Sequence, residues 1–173
     1  LTVNQTLPQL KAHTGACLHI GVSPAQIRET VYQCAPFIGF PKTLNTIAAI
    51  DEVFAANGIA LPLEDCGTVT ESDRYEKGLA LQVPVYGAEI KERCAWLPAE
   101  FAAAVPGFLT AFGVGDFFTR KALNAKEREL LATVALAALG DAEIQLRSHV
   151  AGALKTGNTK EEIVCVLVQA MPY

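Results

Sequence analysis

Apolar residues recur along this chain at helical spacing, and one stretch of the pattern occurs twice. Residues 145–157 read QLRSHVAGALKTG and residues 9–21 read QLKAHTGACLHIG, an offset of about 136 residues. The register continues past the glycine, with Ile27 matching Ile163, Gln33 matching Gln169 and Pro36 matching Pro172. Each copy predicts two helices joined at a glycine. Leu146, Val150 and Leu154 fall at i, i+4 and i+8 on one helix face, and Gly157 supplies the residue that enters the left-handed region at a helix end. Thr159 followed by Glu162 then forms a capping box, and Ser23 with Gln26 repeats it in the first copy, with Pro24 suited to the first helical position. His13 and His149 occupy the same place in the first helix of their copies.

In the first copy the pattern predicts helices over about Pro8–Ile20 and Pro24–Cys34, a break at Gly39-Phe40-Pro41, and a third helix over about Lys42–Ala56. Asn124 with Glu127 is a further capping box, opening a helix through Leu130, Leu131, Val134, Leu136 and Ala138 to Gly140. The second copy has no third helix before Tyr173, the equivalent of Phe37, and the first has no counterpart of the Asn124 helix before Leu1. On that asymmetry both copies read as incomplete. Between the copies, Thr70 or Ser72 is expected to cap a helix to about Leu81, and Pro84 to Gly87 to interrupt the chain. A short helix over about Ala88–Trp96 follows, then another with Pro98 at its start, broken at Gly113-Val-Gly-Asp116. No stretch alternates as a strand would. The expectation is an all-α fold with a duplicated helical repeat: a first repeat over 1–58, a connecting helical segment over 59–119 and a second repeat over 120–173.

With 173 residues and 51% hydrophobic content the chain suffices for one good core. A net charge of -4 leaves no electrostatic footprint for nucleic acid, and no apolar run is long enough to span a bilayer. The five cysteines form no CxxC and no zinc spacing, which suits reduced thiols in a cytoplasm and implies no metal. Cys17 and Cys34 match Ala153 and Ala170 across the repeat, so both read as small buried side chains.

The ordered series Leu123-Asn-Ala-Lys-Glu-Arg-Glu-Leu-Leu131, Ala137-Ala-Leu-Gly140, Gln145-Leu-Arg-Ser-His149, Gly157 and Glu161-Glu162-Ile163 resembles the carboxymuconolactone decarboxylase family. Gln9-Leu-Lys-Ala-His13 and Ile38-Gly-Phe-Pro41 fit it too, so the similarity covers about Leu1–Phe54 and Thr119–Tyr173. The resemblance implies an alkylhydroperoxidase-D-like all-α fold assembled as a homo-oligomeric ring, a trimer for two-repeat chains. The peroxidase branch of the family carries a CxxC ahead of the helical histidine. Here those positions are Ala142 and Gln145, which leaves no thiolate to attack a peroxide.

The remaining branch implies decarboxylation of a small carboxylated lactone without metal or organic cofactor. Such chemistry needs an acid to protonate carbon and positive or hydrogen-bonding groups near the developing charge. His149 suits the acid, an imidazole titrating near neutrality. Glu129, matching the family's helix glutamate, could fix its tautomer, and Arg147 or Arg120 could hold a substrate carboxylate. His13 is a further candidate, weakened because its own copy lacks a matching glutamate. Lys126, Glu127 and Arg128 read as a solvated first turn, and Trp96 and the Phe117-Phe118 pair as core or interface. Two functions are compatible with these residues: a cofactor-free lyase, or a catalytically silent family member acting as an oligomeric ligand-binding or scaffold protein.

Overall fold

The computed structural model describes residues 1–87 and 90–173. All regular structure among the described residues is helical, as the periodicity predicts: α1 (Leu7–His19), α2 (Pro24–Ala56), α3 (Arg74–Tyr86), α4 (Ile90–Arg93), α5 (Ala99–Phe108), a π-helical stretch (Leu109–Asp116), α6 (Ala125–Leu139), α7 (Glu143–Lys155) and α8 (Lys160–Ala170). No helix among the described residues is long and apolar enough to cross a membrane. The chain divides into two compact units, one of Leu1–Cys66 with Ala122–Tyr173 and one of Gly67–Lys121.

The duplication is visible in the first unit. α1 and α7 are each 13 residues long and begin at equivalent positions, as do α2 and α8. Gly21 and Gly157 end their helices at φ 90° and 94°. In each copy the glycine N–H and the next N–H turn back to the helix: Gly21 to Leu18 and Val22 to Cys17, Gly157 to Leu154 and Asn158 to Ala153. Both turns therefore satisfy carbonyls that a helix end would otherwise leave open. The three predicted capping boxes, Ser23–Gln26, Asn124–Glu127 and Thr159–Glu162, are all formed.

α2 has two arms. Gly39, at φ 76° and ψ 169°, interrupts it two residues before Pro41, where the sequence places a break. The second arm folds against the first and against α1, so that Leu10, Ile27, Val31, Ala49, Ile50 and Phe54 form one buried cluster. Ile50 and Phe54 are fully buried, each contributing about 1.5–3 kcal/mol by removal from water. A second cluster, Val3, Cys34 and Ala135 with Phe37, Ile38, Ala138 and Leu139 against it, joins the first arm of α2 to α6.

In the second unit α3 runs through Pro84 to Tyr86, so the expected interruption falls only at Gly87. The expected Ala88–Trp96 helix lies partly outside the described residues, and Ile90–Arg93 is helical. Trp96 is 81% exposed and is not a core residue. The glycines of 113–116 do not break the chain but continue it in π form. Gly115 and Gly78 let backbones touch: a Cβ on Gly115 would stand 2.2 Å from the Arg74 carbonyl oxygen, and one on Gly78 2.4 Å from that of Thr110. Since backbone cannot yield as a flexible side chain does, Gly115→Ala is expected to destabilise this unit by about 1–3 kcal/mol. A thermal melt followed by circular dichroism would show it as a lowered transition; an unchanged melt would mean that the close approach is dispensable.

Candidate active site

Three helices of the first unit place the candidate residues. α6 turns Arg128, Glu129, Ala132, Thr133, Ala135 and Leu136 inward, all of them buried. The first arm of α2 contributes Glu29, Gln33 and Phe37, spaced by four and so sharing a face. α7 carries His149. Asn158, in the turn after α7, fixes that helix on α6: its amide donates to the carbonyls of Lys126 and Ala153, each at 3.0 Å. Lys126 Nζ pairs with Glu162 at 2.7 Å and ties α8 to the same turn of α6.

His149 Nδ1 lies 2.9 Å from Glu129 Oε2. The glutamate side chain is 2% exposed and the imidazole 15%, so one partner is enclosed while the other reaches the surface. The Phe37 ring meets the imidazole edge to face, with centroids 5.5 Å apart. A carboxylate accepting Nδ1–H selects the tautomer whose Nε2 is the basic nitrogen, and it stabilises the ring once protonated. Thr133 Oγ donates to the Glu129 carbonyl at 2.8 Å, holding the helix at this turn.

Beside this pair lies an ionic cluster that the sequence reading missed. Arg128 is fully buried; its Nη2 pairs with Glu29 Oε2 at 3.1 Å and its Nη1 donates to Gln33 Oε1 at 2.9 Å. The expectation of a solvated first turn is thus wrong for Arg128. A residue four before Ala132 and seven before Ala135 shares their inward face, a signal present in the sequence that the charged run KERE obscures. In formal charge the buried set holds one guanidinium and two carboxylates, and a protonated His149 brings it to neutrality.

Arg147 is 78% exposed and pairs along its own helix with Glu143 at 2.7 Å. Two residues from His149, it faces away from it, since positions i and i+2 do not share a helix face. Arg120 belongs to the second unit. His13 Nε2 lies 2.7 Å from the Tyr173 hydroxyl and the two rings meet edge to face. Cys34 is buried, and desolvation pushes its thiol up to about 11, so it is no nucleophile at neutral pH.

Fold and site together define a helical protein with a histidine–carboxylate pair suited to proton transfer. The sequence profile of the carboxymuconolactone decarboxylase family matches residues 1–52 and 103–173, and the chain belongs to that family. A curated relative, the 4-carboxymuconolactone decarboxylase of Acinetobacter baylyi (strain ATCC 33305 / BD413 / ADP1), is 27% identical over 105 residues, covering 61% of this chain and 78% of the relative.

Proposed function

We propose that this protein catalyses cofactor-free decarboxylation, or a related proton transfer, on a small carboxylated lactone. The observation that carries the reading is the 2.9 Å contact between the surface-reaching His149 and the enclosed Glu129. The name of the relative supports the substrate class. In this reading the bond from carbon to the substrate carboxylate breaks, carbon dioxide leaves, and the electron pair enters the conjugated lactone carbonyl. Protonated His149 lies near the developing charge and then delivers its proton to carbon, while Glu129 holds Nδ1 throughout. Solvent restores the proton. The imidazolium supplies the positive charge, and Arg147, on the far side of α7, takes no part.

A cytoplasmic setting and a homo-oligomeric ring belong to the same reading. No two of the cysteines, Cys17, Cys34, Cys66, Cys94 and Cys165, are joined by a disulfide, which suits a reducing compartment, and Phe40 and Leu44, each 61% exposed, offer apolar surface for assembly. That surface also favours the second reading, a silent oligomeric binding or scaffold protein.

Turnover decides between them. Purified protein incubated with 4-carboxymuconolactone is expected to consume its ultraviolet absorbance and release one carbon dioxide per molecule lost. Absorbance that decays no faster than in buffer would remove this substrate and favour the silent reading.

A further inference from the structure

The duplication sets each of its two imidazoles against an aromatic ring, and the two pairs are built crosswise. Phe37, near the end of the first arm of α2, belongs to the first copy and meets His149 of the second. Tyr173, its equivalent after α8, belongs to the second copy and meets His13 of the first. The ring geometries agree, with centroids 5.5 and 5.3 Å apart and planes at 85° and 89°. Each aromatic therefore approaches its histidine in the same way. Phe37 packs on the cluster of Val3, Cys34 and Ala135, and the Tyr173 carbonyl accepts from Asn4 Nδ2 at 3.0 Å.

What differs between the two rings is a hydroxyl. That of Tyr173 lies 2.7 Å from His13 Nε2, at hydrogen-bonding distance, so a phenol holds that nitrogen. Phe37 has none. Carried onto Phe37, the same geometry would set a phenol oxygen against His149 Nε2, the nitrogen that the Glu129 contact at Nδ1 makes the basic one. A phenol there would compete with a substrate for that nitrogen, donating to it in the neutral ring and accepting its N–H in the imidazolium. Either bond must break before the ring can pass a proton to carbon.

We propose, on the reading of His149 as the proton donor, that Phe37 is a positioning residue whose bare ring keeps a phenol off His149 Nε2, while Tyr173 holds His13 out of the same chemistry. The aromatic at this place in each copy selects which of the two duplicated histidines exchanges a proton with a substrate. The Phe37 ring, from α2, sets the plane of the imidazole, and Glu129, from α6, holds its Nδ1. Position 37 thus adds orientation without adding a hydrogen-bond partner.

The test compares Phe37→Tyr, Phe37→Leu and Tyr173→Phe in the full chain, with ring nitrogens of isotope-labelled histidine followed by NMR and assigned through His149→Ala and His13→Ala. Phe37→Tyr is expected to displace the His149 Nε2 resonance, and Tyr173→Phe to displace that of His13 Nε2 in the opposite sense. Phe37→Tyr should also lower kcat on 4-carboxymuconolactone by about 10–100-fold, the range of a hydrogen bond to a charged group. Phe37→Leu should lower it less. A packing role predicts the reverse order, because tyrosine keeps the ring that leucine removes. Circular dichroism checks that each variant folds. An unmoved His149 Nε2 resonance in Phe37→Tyr overturns the proposal, as does an unmoved His13 Nε2 resonance in Tyr173→Phe or a leucine variant slower than the tyrosine one. A wild type without turnover removes the decarboxylase reading, and the two resonances alone then decide this one.

Discussion

Arg128→Ala is expected to cost about 3–5 kcal/mol of folding stability, the largest single loss foreseen for a residue outside the hydrophobic clusters. The guanidinium is fully buried between Glu29 on α2 and the rest of α6, so removing it takes the cation from an enclosed carboxylate and the donor from the Gln33 side-chain oxygen together. The size comes from the uncompensated charge left behind, since burying two ions together offsets much of their mutual attraction. The double variant Arg128→Met with Glu29→Leu should therefore recover most of the loss, because it removes both charges and keeps the volume. Urea unfolding followed at 222 nm measures both. A single variant within about 1 kcal/mol of wild type would mean that water reaches the cluster, and a double variant as unstable as the single would show that the pair contributes net attraction.

The ends of helices were legible in the sequence because caps are local. Ser23, Asn124 and Thr159 each satisfy an amide three residues on, and Gly21, Gly140 and Gly157 each take a positive φ, so the chemistry of one turn decides each boundary. The break at Gly39 was legible for the same reason. What escaped depended on long-range contact. Gly115 looks like a helix breaker until the crossing backbone is seen; it and Gly78 are contact points, and the chain continues through 109–116 in π form. Arg128 reads as solvated because it stands in a charged run with Lys126 and Glu127. Its partner Glu29 lies 99 residues away, on the other copy of the repeat.

The candidate site divides in the same way. Glu129 and His149 could be paired on paper from the resemblance alone, and the structure sets them at hydrogen-bonding distance. Gln33 was visible only as a match to Gln169 across the repeat. The two have since diverged in use, Gln33 fully buried against Arg128 and Gln169 exposed. The histidine–carboxylate pair of the second copy is His149 with Glu129. His13, the counterpart of His149, has the Tyr173 hydroxyl where His149 has a carboxylate. A phenol hydrogen bond orients an imidazole but does not balance its charge, which makes His149 the better candidate for the acid.

His149→Ala is expected to lower kcat on 4-carboxymuconolactone by about 10²–10⁴-fold, the range that a positioned proton donor contributes. Its KM should change little if the imidazole acts on the departing and protonated carbon rather than on ground-state binding. Glu129→Gln makes the sharper distinction. The amide oxygen can still accept Nδ1–H at the 2.9 Å now seen, so orientation survives while the charge that stabilises the imidazolium is lost. A smaller fall, about 10–100-fold, is therefore expected. Added imidazole should partly restore His149→Ala and leave Glu129→Gln unchanged. If both variants keep kcat within twofold of wild type while their unfolding midpoints drop, the pair holds α7 on α6 and the proton donor lies elsewhere.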